Sequence, residues 1–193
     1  MKIEAPRQTQ MLEVESDLVA GVLAPYKEPC RYLRNATILY DVYERIPDAK
    51  TPPLASLLTA KGEFSIPESC YIADTGHFNS VEFNICYNQL AYTLLAYGLN
   101  NGLIGSMKEK DIRWFKEHQL PSMLIVEFSS SFKRPIDSRH FEGSVTIQRI
   151  SVKKNIIFIK TCCTFSDDFR GFSKGEVLVA IVAPGPRLAD HSH

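Results

Sequence analysis

A long apolar segment over residues 78–99 constrains this chain more than any other feature of its sequence. Val81, Ile85 and Leu90 recur at spacings of four to five residues, and Phe83 makes a further side of the same segment apolar. A helix that is apolar almost all round is buried, which requires other elements to enclose it. The sequence therefore predicts one long helix at the centre of the fold.

The ends of this helix are predicted by its capping residues. Asn79 can accept hydrogen bonds from the first helical N–H groups, and Glu82 follows three residues later, which is the capping-box spacing. At the other end, residues 100–102 read Asn-Asn-Gly, a sequence typical of a helix terminus. Both boundaries of the central helix are therefore expected close to these residues.

Segments rich in β-branched residues lie on both sides of the central helix and are predicted to be strands. A short amphipathic helix over 15–24, which ends before Pro25, precedes them. The predicted strands cover 35–43 and 54–66 before the helix and 122–129, 143–152, 156–165 and 175–183 after it, with a polar amphipathic stretch over 108–118. This order predicts an α+β hotdog fold, in which a curved antiparallel sheet is wrapped around a long central helix.

The length of 193 residues favours one hydrophobic core over two. Residues 1–12 are polar and carry no periodicity, and we expect them to form a flexible tail. The same holds for residues 185–193, whose terminal histidines are interpreted as part of that tail and not as metal ligands. A single domain is thus predicted over residues 13–184.

The charge balance argues against a nucleic-acid partner. Lys plus Arg and Asp plus Glu both number 22, so the excess of positive charge that neutralises phosphates is missing. Five cysteines without a Cys-x-x-Cys pair suit neither a disulfide framework nor a zinc site. The N-terminal residues lack the apolar run of a secretory signal, and no segment approaches the ~20 apolar residues of a membrane span. A cytoplasmic protein with reduced thiols is expected.

Several motifs carry a resemblance to a known family. The most specific are Thr-Gly-His-Phe-Asn at residues 75–79 and Asn-Gln-Leu-Ala-Tyr at residues 88–92. Further segments lie at residues 30–33, 68–72, 118–125 and 131–136. In these segments the chain resembles the FcoT-like thioesterase family of hotdog proteins, from about Leu18 to the last strand.

The resemblance implies an enzyme that acts on a fatty acyl thioester carried by coenzyme A or an acyl carrier protein. Some family members hydrolyse long-chain acyl thioesters. Others, from isonitrile lipopeptide and β-amino-acid polyketide pathways, add glycine to a (2E)-enoyl thioester and give a 3-(carboxymethylamino) acyl product. Apart from the phosphopantetheine that carries the substrate, no cofactor is implied.

The resemblance also implies a set of site residues, namely Tyr26, Tyr71, Asn79 and Asn88, with His77 in the shared Thr-Gly-His segment. Both chemistries place negative charge on the thioester oxygen, so both require hydrogen-bond donors aimed at it. The start of a helix offers such donors, which makes the turn over residues 76–81 a candidate oxyanion site. Gly76 would let the acyl carbonyl approach the backbone.

His77 is the candidate acid and base, because an imidazole takes up and returns a proton near neutral pH. Simpler interpretations stay open: His77 can hydrogen-bond its own loop, Asn79 can act only as a cap, and both tyrosines can be packing residues. Asn88 stands in the middle of an apolar helix, where an unpaired amide costs about 1–3 kcal/mol, so it requires either a structural partner or a substrate.

Three basic residues are candidates for anionic groups of the substrates. Arg31, Lys133 and Arg134 could meet a pantetheine phosphate or the carboxylate of glycine, although exposed basic residues usually form only a solvated surface.

Three functions follow in order of preference: glycine addition accompanied by thioester hydrolysis, simple acyl thioester hydrolysis, and acyl-chain binding without catalysis. Binding without catalysis ranks last because the set of histidine, asparagine and tyrosine residues is intact. A hotdog domain of this type pairs sheets edge to edge, so a homodimer or a higher homo-oligomer is also predicted.

Overall fold

The computed structural model describes residues 7–43, 58–72 and 76–182. The described residues form ten helices and strands, and two short 3₁₀ turns cover Glu28–Cys30 and Gly105–Met107. In chain order they are β1 (Arg7–Glu13), α1 (Ser16–Leu23), β2 (Leu33–Tyr43), β3 (Thr59–Phe64), α2 (Ser80–Asn100), α3 (Ile112–His118), β4 (Met123–Arg134), β5 (Phe141–Lys153), β6 (Ile156–Ser166) and β7 (Phe172–Ile181).

The seven strands form one antiparallel sheet in the order β1-β2-β3-β5-β6-β7-β4. Helix α2 packs against this sheet and touches β2, β3 and β5. Of its 21 residues only Ser80, Val81 and Asn100 are exposed, so the helix is enclosed as its composition requires. The predicted hotdog fold is confirmed.

Aromatic rings fix the beginning of α2 against the sheet. The ring of Phe83 lies 4.9 Å from that of Phe165 on β6, and the ring of Phe78 lies 4.7 Å from that of Phe141 on β5. Gly175 on β7 leaves the space that Phe83 needs, because a Cβ atom there would lie 2.9 Å from its ring. The N-terminal end of α2 is therefore held rigidly over the sheet.

The flexible tail predicted over residues 1–12 is wrong for its second half. Residues Arg7–Glu13 form β1, which pairs with β2 along its whole length, from Arg7 opposite Tyr43 to Glu13 opposite Thr37. An edge strand is held by backbone hydrogen bonds and needs little apolar surface, as the exposed side chain of Met11 illustrates. Polar composition therefore did not exclude a strand here. Residues 1–6 and 183–193 lie outside the described residues.

Other strand boundaries differ from the predicted ones where the pairing with a neighbouring strand determines them. Strand β4 continues to Arg134, five residues beyond the predicted end, because its serine-rich second half pairs with the beginning of β7. The predicted start of the second strand at residue 54 falls outside the described residues, and β3 begins at Thr59. Among the residues described, no helix is both long and apolar enough to cross a membrane.

Candidate active site

Asn79 is the centre of a hydrogen-bond network at the start of α2. Its Oδ1 accepts hydrogen bonds from the N–H groups of Val81 and Glu82, at 2.9 and 3.3 Å, and from the hydroxyl of Tyr71, at 2.7 Å. The carboxylate of Glu82 accepts a hydrogen bond from the N–H of Asn79 at 3.2 Å. The predicted capping box is thus confirmed, and Tyr71 and Asn79 are brought into direct contact.

The same network corrects one prediction about the oxyanion site. The N–H groups of Val81 and Glu82 already donate to the side chain of Asn79, so they are not free to receive a developing negative charge. The hydroxyl of Tyr71 likewise donates to Oδ1 of Asn79, so it would serve an oxyanion only after turning from Asn79 to the substrate. Residues 73–75 of the predicted segment lie outside the described residues.

Gly76 and His77 line a polar cavity of about 550 Å³ beside the start of α2. Gly76 has a φ of 70°, a left-handed conformation that favours glycine. The carboxylate of Glu82 also lines the cavity, although the residue is only 2% exposed. The opposite walls come from the loop over residues 135–139 and from Asp167 and Phe169 at the β6–β7 turn.

Asp167 builds one wall of this cavity. Its carboxylate accepts hydrogen bonds from the N–H groups of Asp137, Phe169 and Gly171, at 2.6, 2.9 and 2.7 Å. The backbone of Phe78 in turn donates to the carbonyl of Ile136 at 3.1 Å. The cavity is therefore framed by hydrogen-bonded loops, and the carboxylate of Asp167 has a structural role.

Asn88 lines a second, apolar cavity between α2 and the sheet, which has room for about one water molecule at ≈ 20 Å³. Tyr87 and Thr161 also line it, and their hydroxyls are hydrogen-bonded at 2.8 Å. An acyl chain can enter only if the lining side chains move apart. The lining is otherwise apolar and comes from Ala91, Tyr92, Leu94, Leu95, Met123, Ile125, Val145, Ile147, Ile159 and Val179.

Tyr26 lies half-buried near the middle of α2, just past the end of α1. Burial, and to a smaller extent the neighbouring Tyr92 and Cys86, raise the pKa of its hydroxyl well above the usual range. Tyr26 therefore stays protonated at neutral pH and can donate a hydrogen bond but cannot serve as a base.

Arg31 is bound to backbone carbonyls close to Tyr26. Its Nε donates to the carbonyl of Tyr26 at 3.0 Å, and its Nη2 donates to that of Ala24, at the end of α1, at 3.2 Å. These bonds give Arg31 a structural role, and its contact with a phosphate or carboxylate stays a prediction. Lys133 and Arg134 are exposed at the far end of β4.

Gln89 is a residue whose importance the sequence did not indicate. It is completely buried, and its Oε1 accepts hydrogen bonds from the N–H groups of Tyr32 and Leu33, at 3.0 and 2.9 Å. Its Nε2 donates to the carbonyl of Cys30 at 2.6 Å. Gln89 thus fastens the segment that follows Arg31 to the side of α2 next to Asn88.

None of the buried thiols suits a nucleophile. Burial raises the pKa of Cys86 well above its ordinary value and that of Cys163 to about 12. All five cysteines are free thiols. Within the part of the chain that the structure describes, no group of three His, Cys, Asp or Glu residues is placed to hold a metal ion.

Comparison with known proteins assigns the family. Residues 21–181 match the family model of the FcoT-like thioesterase domain. The chain belongs to the FcoT-like thioesterase family. It is 39% identical over 170 residues to a (2E)-enoyl-ACP glycyltransferase of Streptomyces coeruleorubidus, covering 86% of this chain and 95% of that protein. A Mycobacterium marinum protein of the same name is 34% identical over 171 residues, covering 86% of each.

Solved structures also resemble this FcoT-like chain. A Staphylococcus aureus protein solved in complex with CoA has a TM-score of 0.45 and 12% identity, covering 71% of this chain and 81% of that one. With its family and its hotdog fold established, the protein is an enzyme, as the sequence predicted.

The structure places the predicted site residues of this FcoT-like enzyme in three groups along α2. Tyr71 and Asn79 are hydrogen-bonded at its start, Gly76 and His77 line the polar cavity, and Asn88 lines the apolar one. Tyr26, the other tyrosine of the set, lies over the middle of the helix. The polar groups of the set therefore follow α2 from its start to the apolar cavity.

Proposed function

We propose that this protein adds glycine to a (2E)-enoyl thioester carried on the phosphopantetheine arm of an acyl carrier protein. The observation that carries the proposal is the match, over 86% of the chain, to relatives named (2E)-enoyl-ACP glycyltransferase. The polar cavity of about 550 Å³ beside α2 supports it, since a small polar second substrate needs such a space. No cofactor takes part beyond the pantetheine arm.

The reaction is a conjugate addition in which no atom is lost. The amine nitrogen of glycine forms a bond to C3 of the enoyl group. The π pair of C2–C3 then forms a double bond between C1 and C2, and the π pair of the carbonyl moves onto the thioester oxygen as an enolate. The new ammonium group then loses a proton, and C2 gains one. The product is the 3-(carboxymethylamino) acyl thioester.

His77 is the residue that moves the proton in this proposal. It lies on the polar cavity, where the amine of glycine would be bound, and an imidazole both accepts and returns protons near neutral pH. The hydroxyls of Tyr26 and Tyr71 are the donors for the enolate oxygen. Asn88 orients the thioester at the mouth of the apolar cavity that receives the acyl chain. Gly76 gives the substrates room beside the backbone.

Simple hydrolysis of an acyl thioester is the second candidate. The description of the family model as a thioesterase favours it, and the same donors would stabilise the tetrahedral oxyanion. Water would then occupy the polar cavity in place of glycine. Coenzyme A is the alternative carrier in either reaction, and the free thiols fit a reducing, cytoplasmic location.

Incubation with a (2E)-enoyl pantetheine thioester, with and without glycine, tests the proposal by mass spectrometry. We expect a product heavier by one glycine, and only when glycine is present. An otherwise identical saturated thioester is the control, because it offers no double bond for addition. Release of the unmodified acid at the same rate with and without glycine would leave hydrolysis as the function.

A homodimer that forms through β4 is part of the proposal. In the described residues β4 pairs only with β7, so its other edge is open, and Leu124, Val126 and Phe132 are exposed on it. A second copy would cover this apolar edge and supply the missing hydrogen bonds. In light scattering we expect about twice the 21.8 kDa of one chain.

The variant Val126→Lys tests the place of this contact. Lysine on the edge of β4 is expected to shift the protein toward the monomer, because the charge would be buried without a partner. Met11→Lys on the opposite edge strand, β1, is the matched control and should leave the mass unchanged. A wild-type protein that is monomeric at micromolar concentration would refute the dimer.

A further inference from the structure

One polar group near the site has no function in the network described so far. The Oδ1 of Asn84 on α2 is buried and has no hydrogen-bond partner among the described residues. The residue as a whole is only partly buried, although this oxygen is not accessible. A buried amide oxygen without a partner is unfavourable and is retained where a ligand supplies the missing donor.

The position of Asn84 relates it directly to Asn88. Residues four apart lie on the same side of a helix, about 6 Å apart along its axis. Asn88 lies at the apolar cavity, which β4 borders through Ile125. One turn nearer the start of the helix, the ring of Phe83 packs 5.7 Å from that of Phe128 on the same strand. Asn84 and Asn88 are therefore amides one turn apart on the same side of α2.

Every thioester on a pantetheine arm carries an amide at a fixed distance from its carbonyl. Four bonds separate the carbonyl carbon from the first amide nitrogen of the arm, and in an extended chain they span roughly one helical turn. If Asn88 orients the thioester, with the acyl chain in the apolar cavity, the arm leads back toward Asn84. Its N–H would then lie next to the unpaired oxygen.

We propose that Asn84 is a positioning residue whose Oδ1 accepts a hydrogen bond from the first amide N–H of the pantetheine arm. This inference rests on the proposed function to the extent that the substrate is a pantetheine thioester bound along α2. It does not depend on whether glycine or water attacks. Asn84 and Asn88 then hold the two polar groups of the substrate on either side of the sulfur.

Two thioesters, one with this amide and one without it, test the inference. The N-acetylcysteamine thioester of the (2E)-enoyl acid contains the amide, whereas the S-propyl thioester lacks it. The variant Asn84→Leu removes the acceptor at similar volume, and Asn84→Asp keeps an acceptor oxygen. The readouts are kcat/KM for glycine addition and for hydrolysis, with calorimetric dissociation constants for the saturated thioesters in parallel. Circular dichroism melting checks that each variant is folded.

We expect Asn84→Leu to lower kcat/KM for the N-acetylcysteamine thioester by about tenfold, the size of effect that one lost hydrogen bond produces. The S-propyl thioester should be affected less than about twofold. Asn84→Asp should recover part of the loss. The dissociation constants should follow the same pattern, so a wild-type protein that fails to add glycine still tests the inference.

Other results would overturn the assignment. An equal loss with both thioesters, or a change of mass in light scattering, would show that Asn84 supports the fold or a contact with a second copy. An increase of KM for glycine alone would place Asn84 next to the amine. Unchanged activity and affinity with both thioesters would show that its amide meets no substrate.

Discussion

Replacement of His77 by alanine is expected to lower the rate of glycine addition by about 100-fold or more, because the addition then lacks its proton carrier. The side chain of His77 is exposed on the polar cavity beside α2, so the fold should survive. Single-turnover rates followed by mass spectrometry would separate the chemical step from substrate binding. The KM for the enoyl thioester should change little.

His140→Ala is the matched control, since His140 is exposed near the same loops but does not line the cavity. It should retain the wild-type rate. A His77→Ala variant with near-normal turnover would contradict the proposed role. The chemistry would then depend on Tyr26, Tyr71 and the two asparagines of the set.

Replacement of Gln89 by leucine is expected to lower the free energy of unfolding by about 3–5 kcal/mol. The substitution leaves two N–H groups, those of Tyr32 and Leu33, and the carbonyl of Cys30 without partners in the interior. Urea unfolding followed by circular dichroism measures the change. Because this segment follows Arg31, substrate binding should weaken as well.

Gln119→Leu provides the comparison for this effect. Gln119 is also buried, but its Nε2 makes a single bond, at 2.9 Å, to the carbonyl of Val22. Its loss should cost about 1–2 kcal/mol, clearly less than the effect at Gln89. Equal destabilisation by the two variants would show that the number of unpaired backbone groups does not set the cost.

The sequence predicted the parts of the fold that depend on neighbouring residues. Asn79 and Glu82 placed the start of α2 correctly because a capping box is made within four residues. The apolar circumference of α2 predicted that the helix is enclosed, and this prediction also needs only the sequence of the helix itself. Strand β1 was missed because it is held by its pairing with β2, and composition does not indicate which separate segments of a chain pair with each other.

The candidate site was predicted less completely than the fold. Asn88 stood out as an amide within an apolar helix, and the same signal, read one turn earlier, would have found Asn84. Only the geometry of the cap shows that the first helical N–H groups already donate hydrogen bonds to Asn79. The polar cavity could not be predicted, because its walls come from four segments that are distant in sequence.

The place of β4 in the sheet has a consequence for the way the chain folds. Among the described residues its partner strand is β7, the last of these strands to leave the ribosome, although β4 is the first strand after α2 in sequence. During synthesis α2 and β4 must therefore wait for about 40 further residues with apolar surface uncovered, a state in which chains aggregate. The apolar cavity is also completed last, because Val179 of β7 is one of its walls, so a chain that ends before Phe172 would lack that wall and leave β4 and β6 without their shared partner strand.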